Sequence, residues 1–379
     1  MKSFIERINA VYDLLISFGV RQIICKRELN RIIKVSGKNT NPQKLYEWQR
    51  KWHKLGNFNK NYYNVYTQYI GEDINIVPDD LLHNIIEPIL NPKRHISTYE
   101  DKCMFDRILW PIFECYITAP TYIRSICGCI YDNKYNKCDN NILKLIPTDV
   151  NKLIVKPSID SSSGKHITFY VREGSTFIDY KTKEELSISL LRRYYGDDFI
   201  VQKVMKQSPF MDKLCKTSVN TVRMAVYRSV ISGKTDVINT VIRIGKDGSL
   251  IDNAHAGGMF IGVNENGMLG KFCCNQFGEN VETFNGVNFA KQKLIVPNYE
   301  KIKEFACKIA DAIPHHHIIA LDIMLDENNN PVLIEYNISA FSVWLFQFTN
   351  GSGFGKYTDE IIDYCIKHRQ QATRIVVKF

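Results

Sequence analysis

Two apolar runs near the C-terminal end of the chain, each carrying an acid, constrain the fold most. Residues 318–324 read IIALDIM and residues 332–335 read VLIE, with the polar turn sequence Asp326 to Pro331 between them. Taking that stretch as a hairpin loop, with Leu325 facing Val332, antiparallel pairing sets Asp322 directly opposite Glu335. Period-two alternation puts Asn337 on the same face as Glu335. Opposed carboxylates repel. Leu321, Ile323 and Ile334 mark an interior strand pair, where buried acids need a partner. A hard divalent cation such as Mg²⁺ is one such partner, because it takes carboxylate and carbonyl oxygens. A shifted register, with one acid exposed or salt-bridged, is the alternative.

The rest of the chain supplies the setting. At 379 residues it exceeds one compact core, so two or three lobes are expected. Residues 1–95 read as a mainly helical region. Ser3 and Glu6 form a capping-box pattern ahead of Phe4, Ile8, Val11, Leu15 and Phe18 at helical spacing. Pro78, Pro88 and Pro92 punctuate its exit. An apolar helix runs through Phe105, Leu109 and Phe113, and another lies between Tyr299 and Ile313. Strands are expected at Leu153 to Lys156, Ile167 to Val171, Phe199 to Val204, Val222 to Tyr227 and Val237 to Ile244, besides the hairpin. Mixed helices and hairpins indicate an α+β fold of two lobes, residues 96–200 and 201–379, after the N-terminal region.

Composition narrows the function. No apolar run approaches the roughly 20 residues of a membrane helix, and the N-terminal pattern is not a signal peptide, so a cytoplasmic chain is expected. The 11 cysteines show no facing CxxC pairs and read as reduced, mostly buried thiols. His315, His316 and His317 fall between a helix and a strand and read as a connecting loop. The net charge of +9 is spread without a basic block, and no nucleic-acid partner is expected. The densest basic and aromatic stretch, residues 42–68 with Trp48, Trp52, Lys51, Lys54, Tyr62 and Tyr63, reads as amphipathic helix with its rings turned inward. Stacking on bases or sugars is the other reading.

Four further constellations carry chemistry. Lys156-Pro157 leads into a small-residue loop ending Ser163-Gly164-Lys165, suited to phosphate oxygens but without Walker A spacing. An ordinary polar hairpin loop fits equally. The run Phe199 to Met205 places Gln202, Lys203 and Val204 where backbone groups could meet an adenine edge, although a buried strand looks the same. Arg223 and Arg243 interrupt apolar strands, which is costly unless each meets an anion, from a substrate or from the chain itself. Asn220, Asn253, Gly257 and Gly258 are candidate substrate-binding residues in polar or flexible segments.

Taken in order, these pieces resemble the ATP-grasp superfamily, nearest its sugar-transfer-associated branch. The matching stretches run from Asp101-Lys102 through Val155-Lys156-Pro157, Ser163-Gly164-Lys165, Ile200 to Gln202, Ser218 to Arg223, Ile242 to Gly245, Asp252-Asn253 with Gly257-Gly258, Ala320 to Asp322 and Leu333 to Asn337. The resemblance spans about residues 95–355. It implies an ATP-grasp fold clasping MgATP, with ATP and Mg²⁺ as cofactors. It would place Lys102 and Lys156 on phosphates and the loop of Ser163, Gly164 and Lys165 over them. Residues 202–204 would form an adenine hinge, and Asp322, Glu335 and Asn337 would hold Mg²⁺. Arg223 and Arg243 would act on the transferred phosphoryl group or the acceptor. Gln202 stands where many ATP-grasp enzymes carry glutamate, and Gly164 is the covering loop's only glycine. The implied reaction joins a small-molecule or sugar carboxylate to an amine through an acylphosphate, in surface polysaccharide or capsule modification and in association with polysaccharide-synthesis enzymes. A kinase acting on a hydroxyl, and a non-catalytic nucleotide- or glycan-binding protein, are the alternatives.

Overall fold

Two antiparallel sheets organise the chain in a computed structural model, which describes residues 23, 25–32, 40–92, 95–159, 166–249, 252, 257–339 and 341–372. The N-terminal capping box and the expected helix of residues 4–18 lie outside the described residues. The first sheet comprises β1 (Thr121–Ile126), β2 (Cys129–Tyr131), β3 (Lys152–Pro157), β4 (Thr168–Glu173), β5 (Thr176–Asp179) and β6 (Phe199–Lys203). Their order is β2-β1-β6-β3-β4-β5. The helix Ile188–Tyr195 starts where the Ser187 hydroxyl accepts from the Leu190 N–H. It buries Ile188, Leu190 and Leu191 in one cluster with Ile123, Val155 and Val201.

The second sheet comprises β7 (Thr221–Arg228), β8 (Thr235–Ile244), β9 (Met259–Val263), β10 (Leu269–Cys274) and β11 (Asn280–Val281), then, after a small hairpin of β12 (Thr283–Phe284) and β13 (Val287–Asn288), β14 (Ile318–Leu325) and β15 (Pro331–Asn337). Its order is β11-β10-β9-β8-β7-β14-β15. Every residue of β14 is buried, so both of its faces are covered. The helix Tyr299–Asp311 covers one face through Ile302, Phe305 and Ile309. The helix Phe105–Phe113 joins that cluster, with Phe105 stacked on Tyr336 at 4.4 Å between centroids. The same helix is tied to the first sheet, because its Asp106 accepts from the wholly buried Arg124 of β1.

The N-terminal helices Pro42–Trp52 and Asn61–Ile70 share a core with the opposite face of this sheet, including Ala225, Val241, Phe260, Ile318 and Ala320. Trp48, Trp52 and Tyr63 are buried there. The Trp48 and Trp52 indoles donate to the carbonyls of Ile76 and Ile74 at 2.7 and 3.1 Å. The basic-aromatic stretch is therefore core, as its helical spacing indicated. Asn91 clamps the region down by donating to the carbonyls of Ile318 and Ile338 at 2.6 and 2.7 Å. Alternation carries this face of the sheet on from Ala320 and Ala225 to Asp322 and Arg223. There it emerges from the helices' cover and confronts the first sheet.

His315 to His317 form the expected connection into β14, and the Tyr99 hydroxyl meets His315 Nδ1 at 2.7 Å. None of the 11 cysteines is joined in a disulfide. No described helix is long and apolar enough to cross a membrane.

Candidate active site

A cavity of about 720 Å³ lies between the two sheets, a volume typical of small-ligand sites. Its lining carries six lysines and Arg243 against four acids, an excess suited to a polyanion. The acids at its centre come from the β14–β15 hairpin. Asp322 pairs with Glu335, as alternation predicted, but by a different route. Leu325 faces Pro331 rather than Val332, and a bulge between Asp322 and Ile323 restores the pairing. The extra residue is Ile334, which lines the cavity beside Glu335.

Asp322 is 1% exposed. Its Oδ2 accepts from Arg223 Nη1 at 3.3 Å, Arg243 Nη1 at 3.1 Å and Asn337 Nδ2 at 3.4 Å. Register explains the first contact, since Arg223 faces Asp322 across β7 and β14. Arg243 comes from the next strand, where it faces Thr221. The anions demanded by both strand arginines are therefore carboxylates of the chain. Asp322 Oδ1 is buried and has no hydrogen-bond partner among the described residues, nor does Arg223 Nε. Arg243 continues the network, with Nη2 lying 3.2 Å from Asp252 Oδ1. The Thr221 hydroxyl donates to the other Asp252 oxygen. Burial weighs against the Arg243 guanidinium, but Asp252, Asp322 and Glu335 outweigh it and hold its pKa above the usual value. Burial raises the Asp252 carboxyl, with Arg243 opposing.

The first sheet and the turn before it supply the opposing lysines. Lys102 opens a short 3₁₀ turn whose first N–H groups are capped by Asp101, and its own N–H donates to the Ser158 carbonyl at the end of β3. Its Nζ reaches across to Glu335 Oε2 at 3.5 Å. Lys156, on β3, also lines the cavity. Burial pushes its ammonium down to about 8, Lys102 adds to the shift, and Glu335 opposes it.

Gln202, Lys203 and Val204 line the cavity too. The expectation that their backbone N–H groups face a ligand needs correction. The Lys203 N–H donates to the Pro120 carbonyl and the Val204 N–H to that of Lys152. The Gln202 side chain donates to Ala119 O and Thr121 Oγ1 at 3.2 and 2.9 Å. Sheet pairing consumes these donors because β6 lies between β1 and β3. The run ends at Met205 and Lys206, which also line the cavity and whose N–H groups have no partner among the described residues.

Asn220 is a second correction, because it does not line the cavity. Its carboxamide donates to Gln207 Oε1, Met211 O and Cys215 O and accepts from the Gly245 N–H. It is fully buried and fully used, a brace behind the wall of residues 216–219. Gly257, with φ +86°, and Gly258 lead into β9 and do not line the cavity either. Ser163, Gly164, Lys165 and Asn253 lie outside the described residues. Asp252 lies in the polar segment that the sequence marks as a possible pocket lining, where Asn253 rather than Asp252 is the expected site residue; its contacts with Arg243 and Thr221 single it out.

The hairpin passes one test for a divalent cation: Asp322 keeps a buried oxygen with no partner among the described residues, next to an opposed carboxylate and a side-chain amide. The set is open. Among the described residues no three His, Cys, Asp or Glu side chains converge into a cage. This is the donor set expected for Mg²⁺, which shares its coordination with phosphates and water.

Two antiparallel sheets enclose a lysine-lined cavity with a carboxylate hairpin at its centre, and comparison gives the family. Residues 83–362 match the family model for sugar-transfer associated ATP-grasp. The chain belongs to that family, and its α+β architecture is the ATP-grasp fold. No curated protein matches it. Among solved structures it resembles the biotin carboxylase domain of 2-oxoglutarate carboxylase from Hydrogenobacter thermophilus, with 12% identity, TM-score 0.39, and 77% of this chain and 49% of that one covered. It also resembles the D-alanine-D-alanine ligase from Coxiella burnetii, with 13% identity, TM-score 0.38, and 73% and 60% covered. A third is the ATP-grasp ligase PsnB complexed with a phosphomimetic variant of minimal precursor, Mg and ADP, with 13% identity, TM-score 0.40, and 73% and 61% covered. The chain thus spans less than two thirds of each of these chains. These likenesses are too distant to carry an argument, and the assignment rests on the family match.

Proposed function

We propose that the chain is an ATP-dependent carboxylate–amine ligase that binds MgATP between its two sheets. The observation that carries this reading is Asp322, opposed to Glu335 and holding one buried oxygen without a partner among the described residues, with Lys102 and Lys156 lining the same cavity. In this reading Asp322, Glu335 and Asn337 hold Mg²⁺, which would neutralise phosphate charge and align the phosphoryl group. Lys102 and Lys156 bind phosphate oxygens. Arg243 orients the acceptor carboxylate or the transferred phosphoryl group, and Arg223 fixes Asp322 from behind. Adenine lies along Gln202, Lys203 and Val204, with the Met205 N–H as donor. The lobes exclude water, which protects an activated acid from hydrolysis.

The acid is activated as an acylphosphate, and an amine then displaces phosphate to leave an amide. The family's description as sugar-transfer associated favours a sugar acid or an amino acid joined during surface polysaccharide or capsule assembly, alongside polysaccharide-synthesis enzymes. The work would fall in the cytoplasm, where ATP is made available. The test is an assay of ATP with uronic and amino acids and a panel of amines. Inorganic phosphate and an amide, both dependent on acid and amine, are expected. A stable phosphorylated product would replace the ligase reading with a kinase.

A further inference from the structure

The proposed ligase chemistry leaves one cavity carboxylate without a task. Among the described residues four acids line the cavity: Asp212, Asp252, Asp322 and Glu335. Asp322 and Glu335 are assigned to the metal. Asp212 accepts from Gln207 Nε2 at 3.0 Å and belongs to the wall that continues from Met205 and Lys206. Asp252 remains. A single guanidinium separates it from the metal carboxylate, because Arg243 holds Asp322 through Nη1 at 3.1 Å and Asp252 through Nη2 at 3.2 Å. An acyl group oriented by Arg243 therefore lies within reach of Asp252.

We propose that Asp252 receives the ammonium group of the amine substrate and takes its proton before the carbon–nitrogen bond forms. The inference rests on the ligase reading. An amine reaches the site protonated at neutral pH, and an ammonium has no lone pair with which to attack. A carboxylate offers about four acceptor positions. Among the described residues Arg243 and Thr221 occupy one on each oxygen of Asp252, leaving capacity for an ammonium. Burial also makes this carboxyl a stronger base than an exposed aspartate. The balance closes: the ammonium gives one proton to Asp252, the amine nitrogen bonds to the acyl carbon, the bond from that carbon to the phosphate oxygen breaks, and the nitrogen's second proton leaves on the departing phosphate. The Asp252 proton then passes to solvent. Thr221 and Arg243 act as positioning residues that aim the carboxylate.

The test compares Asp252→Asn with wild type on two nucleophiles. The acid is taken from a panel of D-glucuronate, D-galacturonate and the amino acids. Hydroxylamine, largely unprotonated at neutral pH, needs no base and reports acid activation as hydroxamate. Ammonium-forming amines, here glucosamine and the amino acids, report the complete reaction. Asp252→Asn is expected to keep hydroxamate formation within about threefold and to lose amide formation by about 100-fold, the scale of a general base. Its residual amide formation should rise with pH as free amine accumulates, beyond the pH where wild type levels off. Among the described residues the charged groups acting on Asp252 are Arg243, Asp322 and Glu335, and the variant leaves all three in place. Equal loss of hydroxamate and amide would overturn the proposal and reduce Asp252 to a prop for Arg243. Unchanged amide formation would overturn it as well. Wild type that forms no hydroxamate with any acid would overturn the ligase reading itself, and the role of Asp252 with it.

Discussion

The two walls of the cavity follow opposite electrostatic plans. The seven-stranded sheet presents charges already neutralised by one another: Asp322 holds Arg223 and Arg243, and Arg243 holds Asp252. The other wall presents Lys152 and Lys156 from β3 and Lys203 from β6, with Lys102 beside them. Lys156 is driven partly out of its charged state by burial. The first wall is preorganised and would change little on binding. In the second, Lys102 already meets Glu335, whereas burial disfavours the charge of Lys156 and bound phosphate would favour it. Substitutions in the paired wall should therefore cost folding stability, whereas substitutions in the lysine wall should cost ligand affinity.

The largest expected effect lies in the paired wall. Asp322→Ala takes from buried Arg223 its carboxylate and leaves Arg243 with Asp252 alone, and should destabilise the fold by about 3–5 kcal/mol, read by urea titration. A loss under about 1 kcal/mol would break the comparison on that side. In the lysine wall, Lys156→Met should weaken ATP-analogue binding about 10- to 100-fold, the worth of a charged hydrogen bond. Its melting temperature should hold or rise at neutral pH, because a buried ammonium is removed. A fall in melting temperature would show that Lys156 is a structural cation instead. Asn220→Ala should destabilise by about 1–3 kcal/mol, since Gln207 and backbone groups lose their partners. Nucleotide affinity should stay within a few-fold, as the residue stands behind the wall. The smallest effect is on pH. Lys156 loses its proton as pH rises through about 8 in the ligand-free protein, and bound phosphate favours the protonated form. Affinity should thus fall, and binding should take up protons, above about pH 8. Below about pH 7 this contribution should vanish, and Lys156→Met should abolish it. Calorimetry in buffers of different ionisation heat reads the proton uptake.

The same contrast explains what the sequence revealed. The long strands β7 and β14 were legible because buried central strands leave nearly continuous apolar runs. The Asp322–Glu335 pairing was legible from alternation, although the bulge that produces it has no local signature. The short strands β2 and β5, at three and four residues, carry too little periodicity to detect. The roles of Asn220 and Asp252 depend on where distant segments meet. Asn220 braces residues 207–215 and the end of β8, while Asp252 becomes a cavity residue only through Arg243 on β8. The N–H groups at Lys203 and Val204 looked available because nothing local shows that β6 is flanked on both sides.

The central claim is that the hairpin acids and the opposing lysines together bind a magnesium–nucleotide complex. Its most direct test is calorimetric titration of a non-hydrolysable ATP analogue, with and without Mg²⁺, into wild type and a Glu335→Gln, Asn337→Ala double variant. Magnesium-dependent binding by wild type, lost in a double variant that still folds, is the predicted result. Folded wild-type protein that binds no nucleotide, or binds it equally well with and without Mg²⁺ in both proteins, would contradict the account.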